Sequence, residues 1–516
     1  MIGNRIYRTP MVWLSTGLLS LGQAAMARGE AQRPNILFFL VDDMGWQDTS
    51  LPFGPEKTRL NELYRTPHME RLAAKGVKFT HAYACSISSP SRVSLFTGAN
   101  VVQHRVSNWT LHKDTPTDRA SDVLDFGEWN YNGLCPVEGV GHTFHAKCLP
   151  QILRENGYTT MMVGKAHFGA IDTPAADPLA IGFDYNVAGH AAGAMGSYLG
   201  EENYGNIGNE WAKVWGVPDL EKYYGSSTFL TEALTLEAKR LIDTALVKEK
   251  PFFLYMSHYA VHAPYKEDKR FIERYKNRGL SQAQAEYAAI VEGMDKSLGD
   301  LMDYLDEKGI SENTVVVFMS DNGGYINSRG DDMNAPLSGG KGSLLEGGIR
   351  EPMIVYWPGV SRAGSEEDMP VIVEDFFPTF LEMAGVKRYR TPQRVDGKSF
   401  VPVLRGKNIR GERPLFFHYP NNWGERKGIV GVPQSAIIKG NMKYIYCYEN
   451  GESFLYDLDR DISERHNLMN DRMYAEVADV LRRELSDYLR RQKANMPVDK
   501  RSGEQVAYPD GKKWGY

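Results

Sequence analysis

Ser88, Pro90 and Arg92 stand at two-residue offsets in Ser88-Ser89-Pro90-Ser91-Arg92, and Thr97-Gly98 closes the stretch. A proline suited to a first turn, with Val93, Leu95 and Phe96 after it, predicts a helix opening near Ser88. One helical turn then separates Ser88 from Arg92, so the guanidinium can reach back toward the hydroxyl. Such a guanidinium hydrogen-bonds an anion with charge assistance. A serine hydroxyl is a poor nucleophile at its own pKa and needs activation before it can attack anything.

Two further clusters can hold a cation. Asp42-Asp43 follows the apolar run 35–41, and Asp321-Asn322 follows the apolar run 314–319. Both runs read as strands buried on two faces, as in a parallel sheet. Three carboxylates and an amide oxygen form an oxygen-only ligand set, which suits a hard divalent ion, calcium ahead of magnesium. Either pair alone reads as turn residues after a strand. Both pairs together with the Ser88 stretch favour a metal site.

The elements that must position these groups alternate along the chain. Helix 69–75 leads to a strand at 77–82. Helix 149–156 leads to strand 159–163, which ends at Gly164-Lys165-Ala166-His167. Helix 229–246 precedes strand 252–257, and helix 285–308 precedes the strand that ends at Asp321. This rhythm predicts an α/β fold, a large mixed sheet with helices on both faces. Ligands of such sheets bind beyond the carboxyl ends of the strands. Stretches 100–147 and 182–209 read as loops around the site. Beyond a polar linker near 410–413, residues 435–448 and 453–458 about Asn450-Gly451 predict an antiparallel hairpin. Val477, Val480, Leu481, Leu485 and Tyr488 mark a closing helix. The expected layout is therefore a catalytic α/β domain at 34–410, a smaller antiparallel-sheet plus helix domain at 411–516, and a loosely ordered tail after Asn495.

The Ser-x-Pro-x-Arg order with its Thr-Gly close resembles the signature of the type I sulfatases, of the alkaline phosphatase superfamily. In that family the first residue becomes Cα-formylglycine, an aldehyde whose hydrate carries two hydroxyls on one carbon. Ser88 holds that position, which is similar to the serine-type bacterial members. The resemblance extends to Asp42, Asp43, Asp321 and Asn322 as the metal set. It includes Lys165 and His167 in Gly-Lys-x-His, where Ala166 replaces the usual tryptophan and is expected to open space beside the site. It also includes His262 in Val-His-Ala-Pro-Tyr and Lys341 in Gly-Lys-Gly ahead of Glu346-Gly347-Gly348-Ile349-Arg350-Glu351-Pro352. By this resemblance Arg92, Lys165 and Lys341 neutralise sulfate oxygens, His262 protonates the leaving alcohol, and His167 takes the proton from the second hydroxyl. The cofactors implied are Ca2+ and 3-oxoalanine at residue 88, installed by a formylglycine-generating radical maturase.

Composition places the chain among soluble globular proteins. The 516 residues carry a formal net charge of -5, with 42% hydrophobic and 24% charged residues, and no strongly basic stretch stands out for nucleic acid. Arg5 and Arg8, the largely apolar run 11–25 and Ala25-Met26-Ala27 read as a signal peptide over 1–27, hence a periplasmic or secreted protein with no membrane span. Four cysteines are too few for a disulfide framework, although Cys135 and Cys148 can pair in an oxidising compartment. The spacing of His142, His145 and Cys148 fits no standard zinc site.

The expected substrate is a sulfated carbohydrate, with a galactose-type ring a plausible target. His104, Arg105, Trp109, His190, His418, Asn421, Asn422 and Trp423 are the residues expected to contact the sugar. Phosphate or phosphonate ester hydrolysis on the same cage, and glycan binding with an unmodified Ser88, remain as alternatives.

Overall fold

The computed structural model describes residues 33–326, 334–409, 412–423 and 428–512. The expected signal peptide and the expected boundary at 410/411 lie outside the described residues.

The expected strands and helices form close to their expected places. Asn35–Val41 (β1) is followed by Pro67–Lys75 (α1), Val77–Tyr83 (β2) and Ser88–Thr97 (α2). Leu149–Glu155 (α3) leads into Thr159–Gly164 (β3), and Tyr185–Val187 (β4) comes next. Glu210–Trp215 (α4) and Leu230–Val247 (α5) precede Phe252–Ser257 (β5). Gln282–Glu307 (α6) precedes Thr314–Ser320 (β6), followed by Arg350–Tyr356 (β7) and Ser365–Glu367 (β8). The sheet order is β8-β2-β7-β6-β1-β5-β3-β4, a mixed sheet of nine strands when Val371–Ile372 beside β2 is included. Strands β6, β1, β5, β3 and β4 are mutually parallel, and β7 runs antiparallel to β6 and β2.

Strand β1 shows why the sheet carries helices on both faces. Its seven residues are all buried, and they alternate between two cores. Ile36, Phe38 and Leu40 pack on one side with Val93 and Phe96 of α2 and Leu149 and Ile152 of α3. Leu37, Phe39 and Val41 pack on the other with Leu234 and Leu241 of α5 and Ile290, Met294 and Leu298 of α6. Because β1, β6, β5 and β3 are parallel, their carboxyl ends share one edge, and the chemistry-bearing residues follow those ends.

The smaller sheet orders Leu415–Tyr419 (β9), Gln434–Lys439 (β10), Met442–Cys447 (β11) and Ser453–Asp457 (β12), each antiparallel to the next, and Ala475–Arg491 (α7) packs on it. Stretch 435–448 is thus two strands, because Gly440-Asn441 turns the chain. On α7, Leu481, Leu485 and Tyr488 are buried as expected, but Val477 and Val480 are exposed at 36% and 40%. The tail is not loose through 512. Val498–Asp499 pairs with Leu124–Asp125 and with Glu504–Gln505, which satisfies its backbone groups. Loop 182–209 contributes the edge strand β4, which the glycine-rich sequence masked. Cys85, Cys135, Cys148 and Cys447 are buried free thiols. No described helix is long and apolar enough to cross a membrane.

Candidate active site

Ser88 is the first residue of α2 and is buried at the carboxyl edge of the sheet. Its Oγ lies 3.1 Å from both Asp42 Oδ1 and Asn322 Oδ1, and Lys165 Nζ donates to it at 3.0 Å. Three chain segments far apart in sequence thus meet on one hydroxyl: the end of β1, the end of β6 and the end of β3.

Each carboxylate of the acidic set holds one cationic side chain. Lys165 Nζ is 2.6 Å from Asp42 Oδ2, Lys341 Nζ is 2.7 Å from Asp43 Oδ1, and Arg92 donates to Asp321. Burial pushes the Lys165 ammonium below its usual value against the pull of Asp42. Burial also opposes the Lys341 ammonium and the Asp43 carboxylate, yet their mutual attraction prevails. Lys341 is held above its usual value, and Asp43, aided by His262 and Lys165, below.

Asp42, Asp43 and Asp321 offer carboxylate oxygens within 4.8 Å of one another, the group of this kind found among the described residues. Asn322 turns its Oδ1 to Ser88 and its Nδ2 to Asp43 Oδ1 at 2.7 Å. The donor set is oxygen only, which fits a hard cation and no soft one. A cation there would take over the counter-charge of Lys165 and Lys341 and leave two ammonium groups for an anion. His142, His145 and Cys148 form no such group.

The two histidines present different atoms. His167 Nε2 lies 3.0 Å from the Thr110 carbonyl, an acceptor, so Nε2 carries the proton. Nδ1 has no partner and keeps its lone pair. Burial, then Lys165 and Arg92, push His167 well below the usual histidine range, so the ring is neutral. His262 Nδ1 lies 2.5 Å from the Ala263 carbonyl, and Nε2 lies 3.5 Å from Asp43 Oδ2. Burial and Lys341 push His262 down, with Asp43 pulling the other way. Asp43 and His167 both take left-handed backbone angles, φ 61° and φ 55°, which non-glycine residues adopt at a cost and mostly at functional sites.

A cavity of about 180 Å³ opens beside Ser88. Lys165, His167, His262 and Lys341 line its polar side, and Ile87, Trp109, Gly193, Ala194, Trp215 and Trp423 form its walls. Lys341 Nζ sits 5.5 Å from the Trp423 ring centre, a cation–π contact. Gly342 allows this approach, since a Cβ there would meet Trp423 at 2.2 Å.

Several sequence-based expectations are corrected by burial. Arg92 is not on the cavity surface. It is fully buried and bound to Asp321, the Lys165 carbonyl, the Tyr255 hydroxyl and Ser257 Oγ. Ala166 points into the hydrophobic core and opens no space beside the site. His104 is buried between Ser94 Oγ and the Val106 amide. Arg105 bonds the Lys493 carbonyl. His190 is half-buried, lies outside the cavity lining, and its carbonyl accepts from the His167 amide. His418 bridges Ser435 Oγ and the Asn495 carbonyl. Asn421 donates to Asp118, and Asn422 to the carbonyls of Arg119 and Ala120. None of these side chains lines the cavity; most are polar groups satisfied inside the fold. Trp109 and Trp423 do line it. Trp215 was missed, because a tryptophan in a short irregular region carries no signal of which way it faces.

The family model described as Sulfatase matches residues 34–386, and the model for the N-sulphoglucosamine sulphohydrolase C-terminal region matches 340–492. A Formosa agariphila protein named Sulfatase is 29% identical over 93% of this chain and 92% of its own length. The N-acetylgalactosamine-6-sulfatase of Mus musculus is 31% identical over 77% of this chain and 71% of its own. Among solved structures, Ps i-CgsB in complex with k-i-k-neocarrahexaose superposes with a TM-score of 0.69 at 28% identity, covering 89% of this chain and 93% of that one. A buried serine, an oxygen cage and paired lysines stand where the carboxyl ends of parallel strands converge, and the chain belongs to the sulfatase family and is a sulfuric ester hydrolase.

Proposed function

We propose that the chain removes sulfate from a sulfated carbohydrate, with calcium held by Asp42, Asp43, Asp321 and Asn322 and with formylglycine made from Ser88. The observation that carries this is the meeting of Lys165, Asp42 and Asn322 on Ser88 Oγ, at the edge of a cavity whose remaining walls suit a ring. The relatives named N-acetylgalactosamine-6-sulfatase and the structure solved with k-i-k-neocarrahexaose support the substrate class.

Lys165 and Lys341 bind the sulfate oxygens and balance their charge. Calcium would add Lewis-acid polarisation of those oxygens, and the hydrated aldehyde would supply an attacking hydroxyl and a second one. Arg92 holds Asp321 in place. His262, as the imidazolium that keeps Nδ1–H on the Ala263 carbonyl and turns Nε2–H toward Asp43, gives the Nε2 proton to the departing sugar oxygen, and His167 Nδ1 accepts one from the second hydroxyl. A serine at residue 88 calls for a radical maturase acting before export, and segment 1–27 would direct the chain to the periplasm or the medium.

The test is a panel of sulfated mono- and oligosaccharides with released sulfate measured by ion chromatography, beside aryl sulfate and aryl phosphate. Turnover of at least one sulfated sugar is expected. The Ser88 peptide from the native host should be lighter by two hydrogens. Activity confined to aryl or steroid sulfates would overturn the substrate class, and an unmodified peptide from active enzyme would overturn the nucleophile.

A further inference from the structure

Three indoles from three separate chain regions converge on the cavity beside Ser88. Trp109 comes from the loop after α2, Trp215 ends α4, and Trp423 follows β9. Their placement is built. Asn209 caps α4 by accepting from the Ala212 amide, and the Gly196 amide donates to the Trp215 carbonyl at 2.6 Å, which ties α4 to the loop carrying Gly193 and Ala194. That loop in turn lies on the His167 ring, where a Cβ on Gly193 would meet Cε1 at 2.3 Å. Trp423 is fixed by Lys341 below it and by Tyr325, 5.8 Å away between ring centres.

The polar and apolar parts of this lining divide the work. Ser88, Lys165, His167, His262 and Lys341 are the side chains that meet a sulfate group and its leaving oxygen. The described remainder of the lining is Ile87, Gly193, Ala194 and the indoles, which offer π-faces, methyl groups and one buried unpartnered donor, Trp109 Nε1, to whatever carries the sulfate. An indole face attracts the polarised C–H bonds of a sugar ring and excludes water from the neighbouring charges. The volume, about 180 Å³, is below the roughly 300–1,000 Å³ of drug-sized ligand sites, so the cavity encloses a small group and not an oligosaccharide.

We infer that Trp109, Trp215 and Trp423 form an indole cage that binds the sulfate-bearing sugar ring by its C–H faces, with Trp215 as a specificity-determining wall. Recognition in this cage follows ring shape and sulfate position and reads the configuration of the other hydroxyls weakly. The inference rests on the sulfated-carbohydrate reading above.

The experiment measures binding by calorimetry in a Ser88→Ala background, which prevents turnover. The probes are inorganic sulfate, D-galactose 6-sulfate and D-glucose 6-sulfate. Without further change, the two sugar sulfates should bind within about threefold of each other and at least tenfold more tightly than inorganic sulfate. Adding Trp215→Ala should weaken both sugar sulfates at least tenfold and leave inorganic sulfate within twofold, and Trp215→Phe should restore most of the loss. Equal weakening of inorganic sulfate would mean that Trp215 acts through the loop on His167, and unchanged sugar binding would mean that it is no wall; either overturns the cage. Binding of inorganic sulfate with none of either sugar sulfate, together with turnover of aryl sulfate alone in unsubstituted enzyme, would instead sink the carbohydrate reading itself. Loss of binding to every probe in the Ser88→Ala background, with Trp215 intact, would reject the cavity as the anion site.

Discussion

Arg92 donates twice to one oxygen of Asp321, from Nε at 3.0 Å and from Nη2 at 2.8 Å. Both side chains are fully buried. The motif arginine therefore reaches the cavity edge only through the Asp321 carboxylate, and Nη1 anchors the pair to β5 through Tyr255 and Ser257.

Removing one partner of such a pair leaves a buried charge unbalanced. Arg92→Ala should cost about 3–5 kcal/mol, and Arg92→Lys, which keeps the charge but loses the fork, should cost less. Urea unfolding midpoints check this. An unchanged midpoint in Arg92→Ala would show that the pair is not what holds this edge together.

His262 faces Asp43 from the cavity lining. A sugar alkoxide is a poor leaving group, so His262→Ala should slow sulfated sugars by about 10²–10⁴ and spare activated aryl sulfates. Kinetics on the two substrate types decide it. Equal losses would move the proton donor to Lys341.

Calcium bound to the native cage and not to the unfolded chain should raise stability by roughly 2.7 kcal/mol at a hundredfold excess over Kd. Chelated protein should thus melt lower and recover with added calcium, and Asp321→Asn should blunt that recovery. A melting temperature indifferent to calcium in the unsubstituted protein would count against the cage.

Glu374 supplies a pH dependence away from the site. Burial, then Asp375, raises its carboxyl from 4.5 to about 8, while Asn100 Nδ2 donates to it at 2.8 Å. The folded state binds the proton more tightly than the unfolded state. Its contribution is therefore whole below pH 4.5, falls as pH rises, and levels off above about 8. Glu374→Gln keeps an acceptor for Asn100 and should gain stability relative to the parent across that interval. Parallel melting curves of the two proteins between pH 5 and 8 would contradict this.

Much of the fold was legible because its signals are local. Strands 35–41 and 252–257 are runs of seven and six buried residues, and they stand where their apolar residues put them. The Gly440-Asn441 turn was overlooked because apolar residues on either side read as one strand.

The sequence by itself determined which chemistry this protein can do. Asp42-Asp43, Lys165 and Asp321-Asn322 each follow directly on a strand and His167 comes two residues after Lys165, and parallel strands bring such ends to one edge. Only the tertiary structure decided what faces the cavity. His104, His418 and Asn422 look like sugar-binding residues in sequence, yet each is buried away from the cavity, and half-buried His190 also lies outside its lining, while Trp215 in a short irregular segment faces it, with its carbonyl bonded to the Gly196 amide. Facing is settled by contacts between residues far apart in the chain, and those contacts leave no mark in the spacing of side chains along it.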